Sequence, residues 1–131
     1  MMKEKNITPE IDEELKEIQC FLEEEYAEEP FVLTTRITKL NVYMARTGFL
    51  FAQAEEDRDK AIVATFAEHA SAITKMPSQV SQKFISAMCE KENYYVRWIE
   101  RLHRTCVHQS DGIRTQVSFA KEELSLTRRG Y

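Results

Sequence analysis

One apolar stripe runs from Phe84 to Leu124 in steps of three and four residues. Its positions are Phe84, Met88, Lys91, Tyr95, Trp98, Leu102, Cys106, Gln109, Ile113, Val117, Ala120 and Leu124, and only Lys91 and Gln109 are polar. That spacing marks one face of an α-helix. A single helix of roughly 45 residues would be about 65 Å long at about 1.5 Å per residue. A globule of 131 residues cannot bury such a rod along its whole length. The stripe therefore predicts an elongated molecule, partners, or both.

The rest of the chain supplies a matching rod. Ile37, Leu40, Met44, Thr47, Phe51, Ala54, Arg58, Ile62, Phe66, His69 and Ile73 form a second stripe, predicting a helix from about Thr35 to about Lys75. Gly48 lies within it, where a glycine serves close helix approach or marks a kink. Met76-Pro77-Ser78 is the one clear turn, with Ser78 as the cap of the closing helix. Two long helices joined by a tight turn must lie antiparallel to bury their stripes. Counting outward from the turn, Trp98 meets Ala54, Tyr95 lies near Arg58, Phe51 near Leu102, Gly48 faces Cys106 and Ile37 faces Val117. The acidic run Glu55, Glu56, Asp57 and Asp59 then lies opposite Arg97 and Arg101, where ion pairs would fix the register.

Ahead of the hairpin, Thr8 and Pro9 read as the cap and first position of a short helix. Ile11, Leu15, Ile18, Leu22 and Tyr26 form its apolar face, glutamates cover the other, and Glu29-Pro30 ends it. Residues 30–34 are then the connection. The predicted fold is all-α: a long antiparallel, coiled-coil-like hairpin (31–131, turn near 76–78) preceded by an acidic helix (1–30). Ile37, Leu40, Met44, Phe51, Tyr95, Trp98, Leu102 and Ile113 are its packing seam. Two helices enclose little interior, so helix 1 is expected to dock at one end. Tyr43, Phe49, Tyr94 and Phe119 stay partly exposed, and such leftover apolar surface predicts a homo-oligomer.

Charge is divided unevenly. Residues 1–30 carry three Lys against eleven Asp or Glu, residues 31–92 balance to +1, and residues 93–131 reach +3, for a net charge of −4. The front segment is either a solvated helix or an acidic segment that covers a basic surface or recruits another protein. No apolar run reaches the length of a membrane span, and Met1–Lys5 carries charge where a secretory signal needs apolar residues. Cys20, Cys89 and Cys106 show no metal-ligand spacing, so reduced, buried thiols in a cytoplasmic protein are expected.

Signs of catalysis are weak. Glu100-Arg101-Leu102-His103 matches the E-x-x-H pattern of di-iron helices, yet Glu100 lies about 200° around the helix from inward-facing Trp98. His69 reads as a hydrogen-bonded seam residue, His103 and His108 as surface groups, and Ser110-Asp111-Gly112 as a weak point in the closing helix. No enzyme and no cofactor or metal is predicted. The one constellation with binding chemistry is basic and aromatic: Tyr94, Tyr95, Arg97, Trp98, Arg101, His103 and Arg104. Arg114, Lys121, Arg128 and Arg129 extend it, and Arg36, Lys39 and Arg46 bring positive charge to the same open end. Arginines beside exposed rings suit single-stranded nucleic acid, whose bases stack and whose phosphates pair. The alternative is that the rings pack and the arginines are solvated or paired.

Two segments resemble the UvsY recombination mediators of tailed phages, over about a third of the chain. One is Thr38-Lys39-Leu40, then Ala45 and Leu50-Phe51. The other is Trp98, Leu102, Cys106, Asp111, Ile113-Arg114 and Phe119-Ala120-Lys121. The resemblance implies a homo-oligomer in the cytoplasm of a bacterial host that binds single-stranded DNA. It also implies help in loading a recombinase in place of a single-strand-binding protein, without cofactor or catalytic residue. On this reading Tyr94, Arg97, Arg101, Arg104, Arg114 and Lys121 carry the nucleic acid. Glu55–Lys75, acidic and then alanine-rich, departs from the lysine- and tyrosine-rich run expected of that family. The rival reading is a helical adaptor acting through protein contacts: a virion component, a scaffold or an inhibitor of a host defence system.

Overall fold

The computed structural model describes residues 8–130, and the reading of Met1–Lys5 lies outside them. Four helices follow in order: α1 (Pro9–Glu23), α2 (Pro30–Thr74), α3 (Ser78–Met88) and α4 (Glu90–Arg128), with no strand among the described residues. The fold is all-α.

α1 begins as its sequence predicts. Thr8 is extended, its Oγ1 accepts from the Ile11 N–H at 3.3 Å, and Pro9 fills the first helical position. Its end is a correction. The helix stops at Glu23, and Glu24 is already extended (φ −71°, ψ 133°). A glutamate run with no basic residue is a poor last turn at the negative end of a helix dipole. The connection therefore spans 24–29, and Pro30 opens α2 instead of closing α1. Proline lacks only an N–H that the first turn leaves unpaired anyway, and it holds Glu29 extended (φ −92°, ψ 136°). The expected connection at 30–34 is thus the first turn of α2.

α2 folds back at Met76-Pro77 and runs antiparallel to α4, as the two stripes require. The closing helix is not one rod. Cys89 (φ −107°, ψ 25°) separates α3 from α4, and His69 (φ −118°, ψ 20°) interrupts α2 on the facing side. Both departures sit at one level of the hairpin. There buried Thr65 Oγ1 meets Cys89 Sγ at 3.6 Å, and the His69 ring stands edge-on to Phe84 at 5.2 Å. The residues are ordinary helix formers, so the break left no mark in the apolar spacing. It does alter the register. Counting outward from the turn presumes unbroken rods. It holds at Thr65–Cys89, but beyond the bend Gly48 faces His103, not Cys106; a Cβ on Gly48 would lie 3.5 Å from His103 Cε1. Ser110-Asp111-Gly112, poor helix formers all, do not interrupt the helix: α4 passes through them unbroken, with Ser110 fully buried.

Three layers share one core at the open end. Leu15, Ile18 and Leu22 of α1 pack with Leu33, Leu40, Leu50 and Ala54 of α2, and with Val96, Ile99, Leu102, Cys106 and Ile113 of α4. Of the predicted seam, Leu40, Leu102 and Ile113 are buried in this core; Ile37, Met44, Phe51, Tyr95 and Trp98 pack half-buried around it. Trp98 and Tyr95 do not face Ala54 and Arg58 as counted. Trp98 Nε1 donates to Gln19 Oε1 at 3.0 Å and Tyr95 Oη donates to Asp12 Oδ1 at 2.8 Å, both on α1. Val96 and Ile99, one residue on, fill the core in their place. α4 carries two adjoining inward faces because it has two neighbours. α1 reaches from the level of Tyr95 to that of Gln109, so the turn end has two layers where the open end has three.

Candidate nucleic-acid interface

The open end is less basic than the sequence suggests, because α1 consumes its cations. Arg36 is buried, with its guanidinium 4.2 Å from the Phe21 ring centre and 4.1 Å from that of Tyr26. It donates to the Phe21 carbonyl at 2.8 Å and to Gln109 Oε1 at 3.0 Å, while Gln109 Nε2 donates to the Leu22 carbonyl at 2.8 Å. Together they bond two carbonyls in the last turn of α1, of which that of Phe21 also accepts from the Glu24 N–H at 3.2 Å. Arg46 grips Glu14 with two nitrogens, and Lys39 lies over the Tyr43 ring. On α2, then, Arg36 is buried and Arg46 is paired with Glu14, while Lys39 stays exposed. The acidic α1 lies against both α4 and α2.

α4 keeps its cations on the outside. Tyr94, Arg97, Arg101 and Arg104 are exposed and recur every three or four residues, so they form one row along the solvent side. Among the described residues neither Arg97 nor Arg101 makes an ion pair, so the pairs expected with Glu55–Asp59 do not form. Arg58 and Lys60, on the same helix as that run, take Glu55, Asp59 and Glu56 instead. A neighbour three or four residues away on the same helix wins over one across the seam. Arg104 pairs with Glu100 and Arg114 with Asp111, each within one turn and largely exposed. Such pairs contribute about 0.3–0.5 kcal/mol and yield readily to a phosphate.

The remaining candidates divide. Arg114 and Lys121 are exposed, but at about 100° per residue they lie roughly 140–160° around the helix from Arg101. They do not extend the row. Arg114 instead lines a shallow depression with Thr115, Ser118, Glu122 and Phe119, whose ring is 64% exposed. Phe119, read from sequence only as leftover surface, falls in line with Arg101 on the helix. Stacking capacity is narrower than the sequence offers. Tyr95 and Trp98 are committed to α1, leaving Tyr94, 52% exposed and edge-on to Tyr95 at 5.4 Å, as the free ring. His103 is a seam residue, not a surface one: its Nδ1 lies 3.0 Å from Thr47 Oγ1 beneath Gly48. His69 is a seam residue against Phe84, but among the described residues its buried Nε2 has no hydrogen-bond partner, the Glu68 carboxylate lying 4.0 Å away. Glu100 faces solvent. Among the described residues no group of three or more His, Cys, Asp or Glu is placed to hold a metal, and no helix is long and apolar enough to cross a membrane.

Two pKa shifts report how tightly α1 is held. Burial, and then the hydrogen bond to Asp12, push the Tyr95 hydroxyl up to about 12. The same bond, with help from Lys16, holds the Asp12 carboxyl below its usual value. Burial also pushes the Cys106 thiol up to about 11, a packed group rather than a nucleophile. Comparison with known protein families, with curated proteins and with solved structures finds no match.

Proposed function

We propose that this chain is a non-enzymatic, homo-oligomeric accessory protein that binds single-stranded DNA along the outer face of α4, in the manner of a recombination mediator. The observation that carries the reading is the row Tyr94, Arg97, Arg101 and Arg104. Among the described residues two arginines are exposed and without an ion pair, a third is held by a one-turn surface pair, and an exposed ring lies at the end. Guanidinium groups spaced along one helix face suit successive phosphates, and Tyr94 suits one base. Arg114 with Phe119 supplies a second, separate contact of the same chemistry, and Lys121 adds charge beside it. α1 packs against another side of α4 and leaves this row exposed. A recombinase or a single-strand-binding protein would be the protein partner under this reading.

The test is fluorescence anisotropy of a labelled single-stranded oligonucleotide at low and moderate salt. Binding should weaken steeply with salt, because each neutralised phosphate releases counterions. Binding absent at low salt, where attraction is strongest, would overturn the reading. It would favour the adaptor class, which has its own observation: an exposed, largely apolar stripe on α2, interrupted by Glu56 and Asp59.

A further inference from the structure

α2 carries a second stripe on the side facing neither α1 nor α4. Val42, Ala45, Phe49, Ala52, Val63 and Phe66 follow steps of three and four, with Glu56 and Asp59 at the intervening positions. Their exposure is the reverse of a core's: Val42 59%, Phe49 62%, Val63 68% and Phe66 47%. A shallow groove runs along this face, lined by Ala52, Val63, Ala64 and Ala67 together with Glu55, Glu56, Asp59 and Lys60. Residues of coiled-coil spacing, with Phe49 and Phe66 set among small residues such as Ala52, Ala64 and Ala67, form half of a packed seam.

We infer that this face is the contact between two copies of the chain, packed α2 against α2 antiparallel about a two-fold axis near residue 58. The charges and shapes choose the occupant. An antiparallel two-fold places residues whose numbers total about 116 opposite each other, and whatever one copy offers the other receives twice. Phe49 of one copy then meets Ala67 and enters the groove beside Val63 and Ala64. Ala52 meets Ala64, which lets the helices approach. Glu56 and Lys60, 2.8 Å apart within one chain, each face their opposite in the other copy, giving two cross-pairs at the axis. A parallel pair would set Glu56 against Glu56 and Phe49 against Phe49, with the groove unfilled. The contact leaves the α4 row on the outside of both copies. It rests on the homo-oligomer part of the proposal above, not on nucleic-acid binding.

Sedimentation equilibrium of the full chain tests it. The wild type should approach twice the 15.4 kDa chain mass. Phe49→Asp, at an exposed position, should keep its helical circular dichroism and weaken dimerisation by roughly tenfold or more. Glu56→Lys and Lys60→Glu should each weaken it alone, and the double reversal Glu56→Lys with Lys60→Glu should restore it. A monomeric wild type, or a dimer indifferent to Phe49→Asp and to the single reversals, would overturn the inference. So would a double reversal that fails to recover the dimer. Oligonucleotide anisotropy on the same samples reads the other proposal separately. A dimer that binds no DNA fails the nucleic-acid reading alone; a monomeric wild type that binds DNA fails this one alone.

Discussion

Arg36 was readable as a cation at a basic end, and it is a buried clasp. Its charge rests between two aromatic faces and two oxygens, with no carboxylate partner. Replacing it by Met keeps much of the volume, leaves Gln109 Oε1 without its donor and leaves the Phe21 carbonyl only the Glu24 N–H. Arg36→Met should destabilise the fold by about 2 kcal/mol in urea titration, in line with the loss of charge-assisted hydrogen bonds. Tyr95 sets a second residue-scale expectation. Its neutral hydroxyl is the form that binds Asp12, so its contribution is complete below about pH 10. It is lost as pH rises from there through about 12. The Asp12 carboxylate runs the other way: its contribution holds above the ordinary carboxylate range and disappears as pH falls through its lowered value. Tyr95→Phe should flatten the alkaline limb of a stability-against-pH curve. A limb equally steep in the variant would mean another group causes it.

At the scale of elements, α4 shows how a helix hides a neighbour. Its apolar stripe was legible, and so was an antiparallel partner. The doubled face was less so, because Tyr95 and Trp98 look complete as a seam. Val96 and Ile99, continuing to Leu102 and Cys106, are the signal that a second neighbour exists. Gly112 tests the continuity of the helix. It lies in an unbroken stretch, exposed, where an added Cβ would meet nothing within 4 Å. Gly112→Ala should therefore stabilise the protein by about 0.5–1 kcal/mol, the difference in helix propensity. A loss on thermal melting would mean that this glycine serves a contact with another molecule. The break at Cys89 had no comparable signal. No proline or glycine marks it, and it is defined by what Cys89 and Phe84 touch on α2.

For the whole molecule, the arrangement separates two surfaces. α1 braces the open end, buries Arg36 of α2 and pairs Arg46 with Glu14. The arginine row of α4 and the apolar stripe of α2 are left facing different directions. If phosphates bind the row, Arg101→Ala with Arg104→Ala should weaken oligonucleotide binding while the oligomer stays intact. The log–log salt slope should fall by about 1.4 in magnitude, two contacts at about 0.7 each for a single strand. Equal affinity in the double variant would remove this row from the site.

The sequence alone determined the class and the layout: period fixes helices, proline fixes the turn, and two stripes on either side of it must face each other. These are local rules, satisfied within a few residues, and they hold for most of the chain. Only tertiary structure decided where α1 lies, which arginines it removes from the surface, and where the closing helix bends. Those outcomes depend on contacts between residues 15 to 88 positions apart, such as Arg36 with Phe21 and Gln116 with Glu28. A periodic pattern records that a side chain is apolar or charged. It does not record which of two neighbours, or which solvent, that side chain meets.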